Sequence, residues 1–194
     1  MARELGVKNL TAFKIEEGGR YGTAIPLKNC VSLNTTNNYK EIEYSSDCST
    51  EYSAAALQNV DVEIEMSSGM GLKLLAELTG LEYVNGKMAT NVGGVMPQMA
   101  LAYEILMDDN TVRRRVLYSL NLRKEEQSNE TESEGETWTL KGKALPVNIN
   151  GKQYVDLWMS ESEIAVLTQG KAEAQAEFNK FFTTVVMPGQ VAAK

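Results

Sequence analysis

The chain has no histidine among its 194 residues, and its only cysteines are Cys30 and Cys48. Without histidine the commonest general base and the commonest metal ligand are both missing, so Ser-His-Asp and Cys-His mechanisms are excluded within one chain. Carboxylate-pair or lysine chemistry stays open. Outside a secretory context we expect two reduced thiols, although the sequence leaves open whether Cys30 and Cys48 ever pair.

Long apolar runs and an excess of basic charge are also missing. The apolar runs are far shorter than the ~18 residues of a membrane span, and no apolar run follows the first residues as in a signal peptide. We therefore expect assembly in a cytoplasm without membrane insertion. Lysine and arginine total 19 against 26 acidic residues, a net charge of −7. This balance argues against a nucleic-acid-binding protein, because phosphate binding requires a basic surface.

The pattern that is present predicts one mainly β domain over residues 1–194. Apolar and acidic residues alternate strictly over residues 60–66, which is typical of a strand with one buried and one wet face. Residues 99–107 also alternate, and Val116, Tyr118, Leu120 and Leu122 are expected to share one face of the return strand. Two-residue hairpin turns are predicted at Asn85-Gly86 and Asn150-Gly151.

Two segments change to a helical period. Leu74, Leu75, Leu78 and Leu81 share one helical face, and Gly80 is suited to end that helix. Residues 171–182 form a second predicted helix, with Phe178, Phe181 and Phe182 on one side. The predicted fold class is therefore mainly β (α+β), a β-sandwich or partly closed barrel of antiparallel strands with a short flanking helix and a C-terminal helix.

Two segments are predicted to be mobile loops. One is small and polar, about residues 45–59. The other, about residues 124–136, contains six glutamates and no apolar residue, so it cannot bury itself. This acidic loop is a solvated loop, an inter-subunit contact or, as a third alternative, a cation site. The candidate contact residues are its glutamates: Glu125, Glu126, Glu130, Glu132, Glu134 and Glu136.

Three further groups of charged residues have two interpretations each. Asp61, Glu63 and Glu65 lie roughly 6.5–7 Å apart along one strand face, within range of a hydrolytic carboxylate pair, but a solvent-facing or lumen-facing surface is the preferred interpretation. Asp108-Asp109-Asn110 is interpreted as a hairpin turn rather than a calcium loop. Arg113, Arg114 and Arg115 are interpreted as a basic interface or ion-pair patch rather than a nucleic-acid site, with Arg114 on the opposite face from the other two.

The order of these segments resembles one family, the major tail proteins of long-tailed phages of the phi13 type. The resemblance starts at the GVKNL of residues 6–10 and runs nearly end to end. It continues through the following segments: residues 44–47, the alternating strand 60–66 with the helix at 72–80, the paired strands 99–103 and 114–122, the strand 138–145 and the closing helix at 177–182. Phe181 departs from the tryptophan of the family pattern.

The resemblance implies a tail-tube fold and a structural role without enzymatic activity, cofactor or metal. Six subunits would close a ring, and stacked rings would form a virion tail tube that surrounds a tape measure protein and then conducts DNA without sequence-specific binding. A tail terminator and a distal tail protein are the other partners implied. The alternatives are the tube protein of a contractile injection system and a soluble β-barrel binding protein or carboxylate-dependent hydrolase.

Overall fold

The computed structural model describes residues 3–46, 49–126 and 137–189, and most of them belong to one large antiparallel sheet. Its strands are β1 (Glu4–Ile15), β2 (Tyr21–Pro26), β3 (Cys30–Ser46), β4 (Ser49–Ser67), β7 (Met99–Met107), β8 (Val112–Glu126), β9 (Thr137–Ala144) and β12 (Asp156–Ser160). Two small hairpins lie outside it, β5 (Glu82–Val84) with β6 (Lys87–Ala89), and β10 (Val147–Ile149) with β11 (Lys152–Tyr154). The predicted mainly β class is confirmed.

The strand order is β2-β1-β7-β8-β9-β4-β3, and β12 also pairs with β8. β8 is long enough to hold two partners on one edge. Its first half pairs with β12 from Arg113 to Leu117, and its second half pairs with β9 from Leu120 onward. β3 and β2 are the edge strands. β1 nevertheless approaches β3, although four strands separate the two in the sheet order.

This approach shows that the sheet curls toward a barrel, and among the described residues no strand pair closes it. Of the two arrangements predicted, the structure has a single curled sheet rather than two large stacked sheets. The main core fills the concave side and contains the inward residues of β4, β7, β8 and β9. A smaller core lies on the other side, where Phe13, Tyr118 and Phe181 meet.

Three helices, none of which is long and apolar enough to cross a membrane, occur in the described part of the chain. They are α1 (Leu72–Thr79), α2 (Glu161–Ala165) and α3 (Lys171–Lys180). α1 buries Leu75 and Leu78 and ends at Gly80, which has the left-handed conformation expected of a glycine C-cap. α3 buries Phe178, and Phe181 follows directly after it. Both predicted helices are confirmed, although Leu81, Phe181 and Phe182 lie beyond their ends.

The two hairpin predictions are also confirmed. Asn85 and Gly86 both have positive φ between β5 and β6, and Asn150 and Gly151 do so between β10 and β11. Asparagine and glycine tolerate this conformation, which a two-residue type I′ turn requires at both positions. These turns could be predicted because their geometry depends only on the two residues that form them.

The predicted common face of β8 is wrong. Leu120 and Leu122 point into the main core, whereas Val116 and Tyr118 point into the smaller one. The cause is a β-bulge, since Met99 pairs with Leu120 but Leu101 pairs with Leu117, so β8 has one extra residue there. An extra residue reverses the alternation of every side chain beyond it.

The predicted small-polar loop at residues 45–59 is wrong as well. Ser45 and Ser46 end β3, and residues 49–59 belong to β4; Asp47 and Cys48 lie outside the described residues. The two strands pair continuously from Cys30 with Met66 to Ser46 with Ser49, apart from three register shifts. The partner strand supplies the backbone hydrogen bonds, so pairing overrides the low strand preference of serine and alanine.

Candidate functional site

One face of the sheet is polar over four adjacent strands. It is formed by outward side chains of β3, β4, β9 and the second half of β8, and we call it the polar face. Its members are Asn34, Thr36 and Asn38 of β3, Asp61, Glu63 and Glu65 of β4, Lys141 and Lys143 of β9, and Asn121, Arg123 and Glu125 of β8. The alternating residues of β4 between them, such as Val62 and Ile64, point into the main core.

The carboxylates of β4 are matched by polar partners on both neighbouring strands. Asp61 lies 3.5 Å from the ammonium of Lys143 and accepts a hydrogen bond of 2.7 Å from the Asn38 amide. Glu63 lies 3.6 Å from Lys141. Glu65 accepts hydrogen bonds from the hydroxyls of Ser32, at 3.1 Å, and Thr137, at 2.8 Å.

Glu125 belongs to the same ladder of charges. It accepts a 2.8 Å hydrogen bond from Nε of Arg123 and lies 3.6 Å from Lys141. The Arg123 hydrogen bond lowers the pKa of Glu125 below its usual value, which keeps this carboxylate ionised. With four carboxylates against three cations, the described polar face has one net negative charge, so it is hydrophilic and nearly neutral.

The polar face contains an open concavity of about 460 Å³, which is lined mainly by its charged and amide side chains, with Thr36, Val62, Met96 and Gly142 completing the lining. A hydrolytic carboxylate pair requires one carboxyl that stays protonated, usually in an apolar pocket. The side chains of Asp61 and Glu63 are both about half exposed and lie beside lysines. Exposed carboxylates beside lysines are better suited to a solvent-exposed surface than to acid–base catalysis.

The predicted acidic loop overlaps a strand at its start. Lys124, Glu125 and Glu126 belong to β8, so the prediction of a loop is wrong for them. They are held in the strand because β9 pairs with β8 as far as Glu126. Four of the six candidate glutamates lie outside the described residues: Glu130, Glu132, Glu134 and Glu136.

Asp108-Asp109-Asn110 forms the turn between β7 and β8, as predicted. Asn110 has positive φ, and Asp109 accepts hydrogen bonds from the backbone N–H and the hydroxyl of Thr111. The Asp108 carboxylate accepts a 2.8 Å hydrogen bond from the backbone of Arg3, which ties the start of β1 to this turn. These carboxylates therefore stabilise a connection between strands.

The three arginines at residues 113–115 do not form one surface patch. Arg113 is partly exposed and lies 3.7 Å from Glu4. Arg114 forms a 2.8 Å ion pair with the buried carboxylate of Glu104, and its guanidinium lies over the rings of Phe178 and Phe182. It also donates a hydrogen bond to the carbonyl of Phe178. The ion-pair interpretation is therefore confirmed for Arg114, which attaches α3 to the sheet of its own chain, while an interface role stays a prediction.

Arg115 is only 3% exposed, and the ion-pair interpretation is confirmed for it as well. Its Nε and one terminal nitrogen lie 2.8 and 2.7 Å from the Asp156 carboxylate. The other terminal nitrogen donates to the hydroxyls of Thr35, at 2.9 Å, and Tyr103, at 3.1 Å. The indole of Trp158 stacks on the guanidinium, 4.6 Å from the ring centroid, and donates to Asp156. Ion pairing was predicted, but these partners were not, because they come from distant segments.

A further feature that sequence reasoning missed is a projecting hairpin, which we call the arm: residues 38–46 of β3 with residues 49–59 of β4. β9 pairs with β4 only from Val60 onward, so within the described residues no third strand pairs with the arm. Tyr39 and residues 55–58 are exposed. Residues 38–46 are extended at about 3.3 Å per residue, so the arm reaches roughly 26 Å beyond the sheet.

No protein-family model matches the chain, and no curated protein matches it. Among the solved structures, one similar chain belongs to the sheath–tube complex of an extracellular contractile injection system in the extended state. The identity is 9%, the match covers 78% of this chain and 88% of that chain, and the TM-score is 0.46. At this score the likeness is coarse, and it leads to no conclusion about function.

Proposed function

We propose that this protein is a structural subunit that assembles with copies of itself into a tube built of stacked rings. The observation that carries the proposal is the pair of unpaired sheet edges together with the arm. The sequence resemblance to phage major tail proteins supports the same role, because it extends over nearly the whole chain and most of its motif residues fall on the observed strands and helices.

The edge strands favour contacts between copies. β3 has 17 residues, and its outer edge has no partner among the described residues. At the other end of the sheet order, β2 pairs with β1 only from Thr11 onward, so no strand in the described part of the chain pairs with the outer edge of the first part of β1. Unpaired backbone groups on an edge pair readily with a strand of another chain. When the β3 edge of each copy pairs with the β1 edge of the next copy, the contact is head-to-tail. Such a contact closes into a ring when the rotation between copies allows it.

The arm provides a second type of contact. An isolated two-stranded hairpin is marginally stable in water, and no third strand pairs with the arm among the described residues. We therefore infer that a neighbouring copy completes this part of the structure. An arm that reaches roughly 26 Å past the sheet can contact a copy beyond the adjacent edge. We propose that it connects one ring to the next, because ring closure uses the sheet edges.

More specifically, we propose that the tube is the tail tube of a phage with a long tail. Six copies form each ring, the tape measure protein occupies the tube during assembly, and DNA passes through it afterwards. The tail terminator and the distal tail protein bind its two ends, and the protein resides in the virion. We assign the polar face to the lumen, since a hydrophilic, nearly neutral surface binds phosphate weakly. The role requires no catalysis, cofactor or metal.

Electron microscopy of the purified protein at increasing concentration tests the proposal. We expect rings or long tubes on the order of 100 Å wide, a width set by the subunit size. A protein that stays monomeric at every concentration would contradict it.

The role of the arm is tested by replacing residues 39–58 with Asn-Gly, which joins Asn38 to Asn59 by a two-residue turn. These asparagines are paired in the native register, so the shortened hairpin keeps the rest of β3 and β4. We expect a folded variant that forms no long tubes. The control is the double substitution of Lys152 and Gln153 by alanine on the separate β10–β11 hairpin. This variant should leave assembly unchanged. Tubes of normal length from the shortened variant would show that the arm does not connect rings.

A further inference from the structure

We propose that Thr35 is a positioning residue that fixes the base of the arm by binding to the buried guanidinium of Arg115. We call the group formed by Thr35, Tyr103, Arg115, Asp156 and Trp158 the clasp. The inference rests on the proposed function in one respect only, namely that the arm contacts another copy.

Thr35 differs from the other clasp residues in its place in the sheet. Tyr103 of β7 and Trp158 of β12 lie directly opposite Arg115 in the register of the strands, and Asp156 is two residues before Trp158. Their contacts follow from ordinary strand pairing. Thr35 belongs to β3, and β9 and β4 separate that strand from β8 in the sheet order. The 2.9 Å hydrogen bond from Arg115 to Thr35 therefore crosses the curl of the sheet.

Among the described side chains on the inward face of β3, Thr35 is the last that hydrogen-bonds to a strand other than β4. Leu33, two residues earlier on the same face, packs against the main core. Asn37 and Tyr39, the next two residues on this face of β3, are exposed. The arm starts between them, at residue 38. The Arg115 hydrogen bond thus acts where the edge strand leaves the core. A fixed base limits the directions in which the arm can project.

The guanidinium is well suited to hold this position. Its two bonds to Asp156 and the stacked Trp158 fix its plane, so the nitrogen that faces Thr35 is already oriented. Hydrogen bonds from charged donors are stronger than neutral ones. Removing the Thr35 hydroxyl leaves Arg115 bound to Asp156 and Tyr103, so the change releases β3 without leaving a buried charge unpaired.

The test is Thr35→Val, which replaces the hydroxyl by a methyl group of similar size. Amide hydrogen exchange of the purified protein is measured by mass spectrometry before any assembly. We expect exchange in residues 31–38 to become roughly tenfold faster, as for the loss of one charged hydrogen bond, while β7 and β8 are unchanged. Thr35→Ser, which keeps the hydroxyl, should restore the native rate. Thr36→Val is the matched control, since Thr36 is the exposed neighbour on the opposite face of β3.

The second measurement is the concentration at which tubes first form. If releasing the base leaves about one arm in ten in the orientation needed for contact, this concentration rises roughly tenfold for Thr35→Val and stays unchanged for Thr36→Val. Should Thr35→Val fold poorly, Thr35→Ala removes the same hydroxyl without adding a methyl group in its place and takes over both measurements.

The two measurements separate the clasp from the proposed function. Unchanged exchange in Thr35→Val, or an increase spread evenly over the whole sheet, overturns the positioning role whatever happens to assembly. Faster local exchange with an unchanged assembly concentration shows that the clasp holds β3 but does not orient the arm, which overturns the inference. If the native protein forms no oligomer at all, the proposed function fails, and the exchange data alone decide whether Thr35 fixes β3.

Discussion

The substitution Gly142→Ala should disrupt the centre of the polar face through a steric clash. Gly142 lies in β9, where it pairs with Leu122 of β8 on one side and Val62 of β4 on the other. A Cβ atom at this position would lie 2.0 Å from the carbonyl oxygen of Asn121 and 2.9 Å from Cδ1 of Leu120. The Leu120 methyl can rotate away, but the carbonyl belongs to the backbone of the neighbouring strand and cannot.

The size of the effect follows from the distance that must be gained. Contacts below 3.0 Å essentially do not occur for a Cβ atom, so β8 and β9 must separate locally by about 1 Å. A hydrogen bond of about 2.9 Å then exceeds its usual range. Losing two or three bonds at about 1 kcal/mol each costs about 2–3 kcal/mol. Strain in the packed core beneath adds about 1–3 kcal/mol, so the free energy of unfolding falls by roughly 3–6 kcal/mol.

Urea unfolding followed by tryptophan fluorescence measures this change, because Trp138 is buried on β9 itself. Gly6→Ala is the matched control. Gly6 also lies within a strand, but no atom lies within 4 Å of the position that an alanine Cβ would occupy there, so we expect a change of less than about 1 kcal/mol. If Gly142→Ala and Gly6→Ala cost the same, the close approach of β8 to β9 is not what requires glycine at position 142.

Three other perturbations have defined outcomes. Leu101→Ala, at a fully buried site, should lower the free energy of unfolding by about 2–5 kcal/mol in chemical denaturation, and an equal loss for the exposed Leu5→Ala would contradict this. Arg114→Met removes the main partner of a buried carboxylate, so we expect faster tryptic cleavage at Lys180 than in Arg113→Met, and equal rates would argue against the attachment of α3. Burial raises the pKa of Tyr21 from 10.0 to about 12. The unfolded chain therefore ionises first, the free energy of unfolding falls as the pH rises from 10 to 12, and Tyr21→Phe should make that fall shallower in pH-dependent denaturation.

Features that depend on neighbouring residues were predicted well. The strict alternation over residues 60–66 predicted a strand with one buried face, and that strand is the centre of both the main core and the polar face. The Asn-Gly turns and the helix that ends at Gly80 were predicted for the same reason, since a positive φ or a helical period is a local requirement.

Features that depend on pairing between distant strands were not predicted. The serine- and alanine-rich residues 49–59 have little intrinsic preference for a strand, and their pairing with β3 makes them one. The bulge in β8 has no signature in its own sequence, because it is defined by the register of β7 opposite Leu117 and Leu120. One unpaired residue was enough to reverse the direction of Tyr118 relative to Leu120.

For this protein the amino-acid sequence by itself determined the mainly β class, the positions of the helices and tight turns, and the exclusion of histidine chemistry, since composition and short-range periodicity decide these properties. Only the tertiary structure decided that Arg114 and Arg115 are buried in ion pairs, that the arm projects beyond the sheet and that Thr35 reaches Arg115. The physical reason is that burial and long-range hydrogen bonds depend on the curl and register of the sheet, and these arise from strands far apart in the chain.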